Sequence, residues 1–231
     1  MKRILMTLLI LAAAAQIAAA KDYDYRPREG WPYLLEEFTA GSVRTGGGTV
    51  IQEGFYNICV VDGSLHYISE GTILKADMLQ VQMVMIGEEL FVNRMSWLYQ
   101  VVHEEEGGLL LKKVSVDMDE LGKSDIGYGI SSATASTNKL TALGMIGQGT
   151  VNMDLTTAIS QAKSGPQLPL LEQYYFLTGF RQTEATKSDF MKIPGLDKDG
   201  AKAFLKGNKI KWSRTEDLVK VLKYLTDNNI Q

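Results

Sequence analysis

Residues 55–76, FYNICVVDGSLHYISEGTILKA, decide the fold. Asp62-Gly63 and Glu70-Gly71 each set a glycine between apolar, β-rich runs, the strongest short-range signature of a tight hairpin. The stretch therefore reads as three short antiparallel strands. With two-residue turns, Val60 is expected opposite Leu65 and Ile58 opposite Tyr67, followed by Tyr67 opposite Leu74 and Leu65 opposite Ala76. Side chains alternate between the faces of a strand with a period of two. Ile58, Val60, Leu65, Tyr67 and Leu74 then make an inward apolar face. Cys59, His66 and Lys75 make a lateral row on the other side, where directly opposed neighbours lie roughly 5 Å apart at Cβ.

Outward from this stretch the alternation continues. Thr49 to Gln52 reads as a preceding strand, with Gly41 to Gly48 as a loop before it. Val81, Met83 and Met85 lead to a turn at Gly87-Glu88, and Leu90 and Val92 return. A reversal near Met95-Ser96 sets Tyr99 opposite Val92 and Val101 opposite Leu90, keeping one face apolar. Glu104 to Gly108 turns again, and Leu109 to Val116 closes an antiparallel meander of about eight strands over residues 49 to 118. Such a sheet is expected to curl into a barrel or sandwich, because a long open edge invites aggregation. Trp31, Tyr33, Leu34, Leu35 and Phe38 are the anchors of an irregular lead-in.

The N-terminus has a different character. Lys2 and Arg3 precede an apolar run from Ile4 to Ala15, and Ala18-Ala19-Ala20 supplies small residues for cleavage, so residues 1–20 read as a signal peptide and Lys21 as the start of the mature chain. No later run reaches the roughly 18 apolar residues of a spanning helix, so no transmembrane span is expected in the mature chain. No cysteine follows the cleavage region to carry a lipid. Cys59 is the single cysteine, which rules out an internal disulfide.

From Gly122 to Gln167 the composition shifts to Gly, Ser, Thr and Ala, read as a polar connector or a weakly paired hairpin. Ser131 and Ser132 lack the Gly-x-Ser-x-Gly elbow of a serine nucleophile. Residues 168–185 read as a strand pair turning near Gly179. Thr186 is expected to cap a helix over Lys187 to Lys192, and Asp197 to open another through Lys206. Ser213 and Glu216 form a capping-box pattern ahead of the stripe Leu218, Val219, Val221, Leu222 and Leu225. The expected organisation is thus a signal peptide (1–20), an antiparallel β-rich domain (21–121), a connector (122–167) and a small C-terminal module with terminal helices (168–231), an α+β protein.

Chemistry is sparse. A thiolate at Cys59 flanked by the His66 imidazole and the Lys75 ammonium would have a lowered pKa and act as nucleophile or redox sensor. The alternative is a thiol packed under a second layer, with His66 and Lys75 as ordinary surface residues. No metal site is expected, since His66 and His103 sit on separate strands and no Cys-x-x-Cys spacing exists. Gly46-Gly47-Gly48 lacks the Lys-Ser/Thr of a phosphate loop, and no cofactor is indicated. Of the aromatics, Tyr67 and Tyr99 are expected in the core, and Phe91 is the candidate for exposure or for contact with a covering element. The net charge is −3. From Thr186 to Gln231 ten Lys and Arg face six Asp and Glu, an excess that solvated helix faces explain, and no nucleic-acid role is expected.

From Tyr174, the sequence YYFLTGFRQTEATKSDFMKIPGLDKDGAKAFLKGNKIKWSRTEDLVKVLKYL resembles a C-terminal segment of uncharacterised exported proteins of Gram-negative bacteria. It has an aromatic strand, a short helix near Thr186, a Lys-rich helix, a Lys-x-Lys-Trp link and a capped final helix. The resemblance implies an envelope accessory role and brings no activity with it. The expectation is an exported protein, periplasmic or secreted, with peripheral attachment to the outer membrane as a further option. It is expected to be a non-catalytic binder of an envelope protein or a glycan. The rival is a hydrolase or thiol enzyme around Cys59 and His66.

Overall fold

The computed structural model describes residues 25–46, 51–123, 149–228 and 230. Residues 1–20, read above as a signal peptide, and Gly47, Gly48, Ser131 and Ser132 lie outside the described residues. Among the described residues ten antiparallel strands form one sheet: β1 (Thr39–Thr45), β2 (Ile51–Ile58), β3 (Leu65–Ser69), β4 (Thr72–Lys75), β5 (Val81–Ile86), β6 (Glu89–Arg94), β7 (Trp97–Glu105), β8 (Gly108–Val116), β9 (Leu170–Thr178) and β10 (Arg181–Glu184). Their order is β10-β9-β8-β7-β6-β5-β1-β2-β3-β4. Among the described residues the helices are α1 (Met118–Lys123), α2 (Leu155–Gln161), α3 (Lys187–Phe190), α4 (Lys198–Asn208) and α5 (Thr215–Asp227). The class is α+β, but the sheet is open and does not close into a barrel.

The stretch expected to be a loop at Gly41 to Gly48 contributes most of β1, which lies between β2 and β5 and pairs with both: Val43 faces Gln52 on one side and Val84 on the other. The run TAGSVRT is small and polar, with little alternation to betray a strand. Its insertion separates β4 from β5, so the strands do not follow one another as a simple meander.

The second hairpin pairs as expected, Tyr67 opposite Leu74, turning on Glu70 and Gly71, both at positive φ. The first is displaced: Ile58 faces Leu65 and Tyr56 faces Tyr67. Residues 59–64 form a wider loop, in which Gly63 N bonds Cys59 O at 2.8 Å and Cys59 N bonds Ser64 O at 3.0 Å. A two-residue displacement preserves facing, because the side-chain period is two. Ile58, Val60 and Leu65 are accordingly buried as expected.

On β5 to β7 Val81 and Tyr99 are buried as expected, but the facing of the other residues is reversed. Val84, Ile86, Phe91 and Leu98 join Val43, Tyr56, Ile58 and Leu65 in the core. Met83, Met85, Leu90 and Val92 occupy the outer face. The runs VQMVMI and ELFVNR carry apolar residues at both parities, so alternation alone favours neither. The sheet curls because the 59–64 loop reaches across it: Leu98 N bonds Gly63 O at 3.0 Å and Val116 N bonds Val60 O at 3.2 Å. Val60, Val114, Val116 and Leu168 pack where they meet.

The C-terminal part extends this same sheet, as β9 pairs with β8 from Gly108↔Thr178 to Val116↔Leu170. Leu218, Val221, Leu222 and Leu225 of α5 pack on Leu110 and Phe176. Thr186 and Asp197 cap α3 and α4 as expected. The capping box at Ser213 and Glu216 does not form. Arg214 is the N-cap, without a side-chain cap bond. The carboxylate of Asp217, in the first turn near the positive end of the helix dipole, instead accepts from Lys211 N at 3.1 Å and ties the preceding segment to the helix. Part of the expected polar connector is packed: Ala158 of α2 is buried, and the backbone at Asn152 and Met153 bonds Ile73, covering the outer edge of β4.

Two glycines separate packing from backbone effects. A Cβ at Gly63, where φ is +67°, would lie 2.2 Å from the Trp97 ring, whereas one at Gly71, where φ is +76°, meets nothing within 4 Å. Gly63→Ala is expected to cost roughly 2 to 4 kcal/mol and Gly71→Ala only about 1 kcal/mol, measured by urea unfolding.

Candidate functional site

His66 lies directly opposite Lys75, as the expected row requires, but its partner on β2 is Asn57, not Cys59. Cys59 falls on the loop beyond β2, bridged to Tyr33. The face is covered. Trp31, Tyr33 and Phe38 of the lead-in and Ala158 of α2 pack there with Cys59 and Ile73, and both Cys59 and His66 are 0% exposed. Asn57 hangs the lead-in on the sheet: its Nδ2 donates to Leu35 O and Glu37 O, and its Oδ1 accepts from Leu35 N and Ile58 N. All of its polar capacity is used inside the protein.

A continuous polar chain runs through this layer. Lys75 Nζ donates to Asp62 Oδ2 at 2.6 Å. Ser64 Oγ lies 2.6 Å from Asp62 Oδ1 and 3.1 Å from His66 Nε2. Tyr33 Oη is 2.9 Å from both His66 Nδ1 and Thr150 Oγ1. The short contact to a carboxylate fixes the serine proton on the Asp62 side. His66 Nε2–H then donates to Ser64, Nδ1 faces the Tyr33 hydroxyl, and Tyr33 Oη is also the donor towards Thr150 Oγ1. Sequence reasoning missed Tyr33, Ser64 and Thr150. Asp62 was read only as turn chemistry.

Burial sets the protonation states. It lowers the His66 pKa to about 4, with Asp62 opposing and Lys75 assisting. It pushes the Cys59 thiol up to about 12, and the Asp62 carboxylate adds to this. Burial also disfavours ionised Asp62, but hydrogen bonds from Lys75 and Ser64 outweigh it and hold the carboxyl below its ordinary range. At neutral pH the thiol is therefore protonated and the imidazole neutral, the opposite of an activated thiolate pair. His103 is elsewhere, 3.3 Å from Glu105 Oε2. Cys59, Asp62 and His66 are the group among the described residues whose donor atoms converge closely enough to hold a metal ion.

The outer face of the sheet is the second candidate. Phe55 sits opposite Ala40, Met85 opposite Ser42 and Leu90, and Met83 opposite Val92. Phe55 is 55% and Met85 39% exposed. Between them lies an open depression of about 540 Å³ lined by Ala40, Gly41, Ser42, Glu53, Gly54, Phe55 and Met85. Phe91, expected to be exposed or beneath a covering element, is 1% exposed in the core, because its facing is reversed with the rest of β6.

Two consequences can be measured. Because the folded His66 pKa lies below its unfolded value of 6.5, the unfolded chain binds the extra proton. Stability from this group is complete above about pH 6.5 and falls by about 3 kcal/mol as pH drops towards 4. Urea unfolding at pH 7, 5.5 and 4.5 should show that loss, and His66→Asn should flatten it. The Cys59 thiol should resist a disulfide reagent in the native state and react fully once the protein is unfolded, which thiol titration reads directly.

Comparison of the chain with protein-family models, with curated proteins and with solved structures finds no match.

Proposed function

We propose that the chain is an exported, non-catalytic binding protein that engages a protein of the cell envelope through the outer face of its sheet. The observation that carries this reading is the pair of outward apolar side chains, Phe55 and Met85, flanking an open depression. Met83, Leu90 and Val92, all partly exposed, continue the same face. Exposed apolar area of this kind marks interaction surfaces, and methionine and aromatic residues are enriched in interface cores. A protein partner is favoured over a glycan because the depression is lined by one aromatic ring, whereas sugar recognition draws on stacking platforms with converging polar groups. Export rests on the signal-peptide pattern of residues 1–20, which fits a periplasmic or secreted location. Among the described residues no helix is long and apolar enough to cross a membrane.

The enzymatic alternative around Cys59 and His66 has less support. Both side chains are 0% exposed, and the hydrogen bonds of His66 are taken by Ser64 and Tyr33. A substrate would have to displace the lead-in to reach them.

Cross-linking in an envelope fraction, with the wild-type protein beside Phe55→Ser/Met85→Ser, distinguishes the readings. The wild type should retain a discrete protein partner that the double variant loses by at least about tenfold, since removing two interface anchors costs more than 1.4 kcal/mol. The same partners on both proteins, or none on either, would count against this surface. Retention on a glycan array lost in the double variant would move the reading to a carbohydrate ligand.

A further inference from the structure

We infer that Cys59, Asp62 and His66 form a binding site for a divalent transition-metal ion of zinc type, buried behind the 59–64 loop. One donor atom from each of these residues lies within 4.8 Å of the other two. They bring a thiol sulfur, a carboxylate oxygen and an imidazole nitrogen, the set that selects zinc over magnesium or calcium. A four-coordinate zinc asks for ligand atoms roughly 3.3 to 3.7 Å apart, so side-chain adjustments of about an ångström complete the approach. Ser64 Oγ, already between Asp62 and His66, or a water completes the fourth position.

The surroundings are those of a metal site. Nδ1 of His66 faces Tyr33 Oη at 2.9 Å, leaving Nε2 turned to the cluster. Ligating histidines are held in this way by a hydrogen bond at the other ring nitrogen. Asp62 Oδ2 is bonded to Lys75, so the carboxylate binds through one oxygen while the other is anchored. Half-buried Asp62, with 38% of its side chain exposed, gives the ion its way in from solvent.

The protons balance. On binding, the Cys59 S–H bond gives way to a sulfur–metal bond and its proton leaves to solvent. The Nε2 proton of His66 is replaced by one on Nδ1, which donates to Tyr33, and Tyr33 donates in turn to Thr150, 2.9 Å away. The tautomer exchange thus has a ready acceptor chain, and the second charge of the ion is met by Asp62. Thiolate and carboxylate together offset the charge of the dication, and the Lys75 ammonium that Asp62 also pairs stays at the half-exposed rim, where solvent carries its charge.

The test titrates the purified, reduced protein with Zn²⁺ by calorimetry in two buffers of different ionisation enthalpy, and with Co²⁺ by absorption. One ion per chain, release of about one proton and a thiolate-to-cobalt charge-transfer band are expected. Cys59→Ser should remove that band, and Asp62→Asn should weaken zinc at least about tenfold, both with the wild-type far-UV circular dichroism. Absence of stoichiometric binding by the folded wild type overturns the site. So does undiminished binding by both variants, because the ion would then sit elsewhere. Neither outcome touches the outer-face reading, which uses none of these residues.

Discussion

Two backbone hydrogen bonds hold this fold in its curled shape, Leu98 N to Gly63 O and Val116 N to Val60 O. They fasten the loop after β2 onto β7 and β8, strands that lie far from it in the order of the sheet. Without them the inner face would open and Val60 and Leu65, each 1% exposed, would be wetted. The loop reaches that far because it is six residues wide at 59–64, where a two-residue turn would stop short. Gly63 makes the approach possible, since its α-carbon lies against the Trp97 ring.

The same loop supplies Asp62 and Ser64 to the polar chain beneath the lead-in. A neutral histidine is tolerated in an apolar layer when each of its nitrogens has a partner, and the cost of burying it is then largely recovered. The chain ends at a carboxylate touching solvent, where charge is cheapest to keep. It also joins Tyr33, the 62–66 segment, Lys75 and Thr150, which are remote in sequence. Polar satisfaction and apolar packing therefore fix the lead-in together, with Asn57 as the peg.

Much of the fold was legible in turn chemistry. Glu70-Gly71, Gly87, Gly107 and Gly179 stand at the reversals they mark, each of these glycines at positive φ. The α5 stripe was equally readable, because helical spacing and burial coincide there. Three things were hidden. β1 is short of apolar residues and takes its place through pairing on both sides, which is a property of the whole sheet. The facing of β5 and β6 could not be assigned because both parities are apolar, and only the pairing with β1 decides it. Of the candidate row, the His66 and Lys75 pair was recoverable from a correct hairpin. The covering of Cys59 depended on the lead-in and on Ala158, about a hundred residues away by any measure of loop closure.

The nine-residue ladder between β8 and β9 also has a kinetic side. Its partners stand roughly fifty to seventy residues apart, so β8 must find β9 against a substantial closure entropy. Until that happens, Leu110 and Leu111, both 0% exposed in the finished structure, lie on a bare strand edge. Closure of this ladder is the long-range step of the topology, and the edge of β8 is where the β-rich half is open to pairing until β9 arrives.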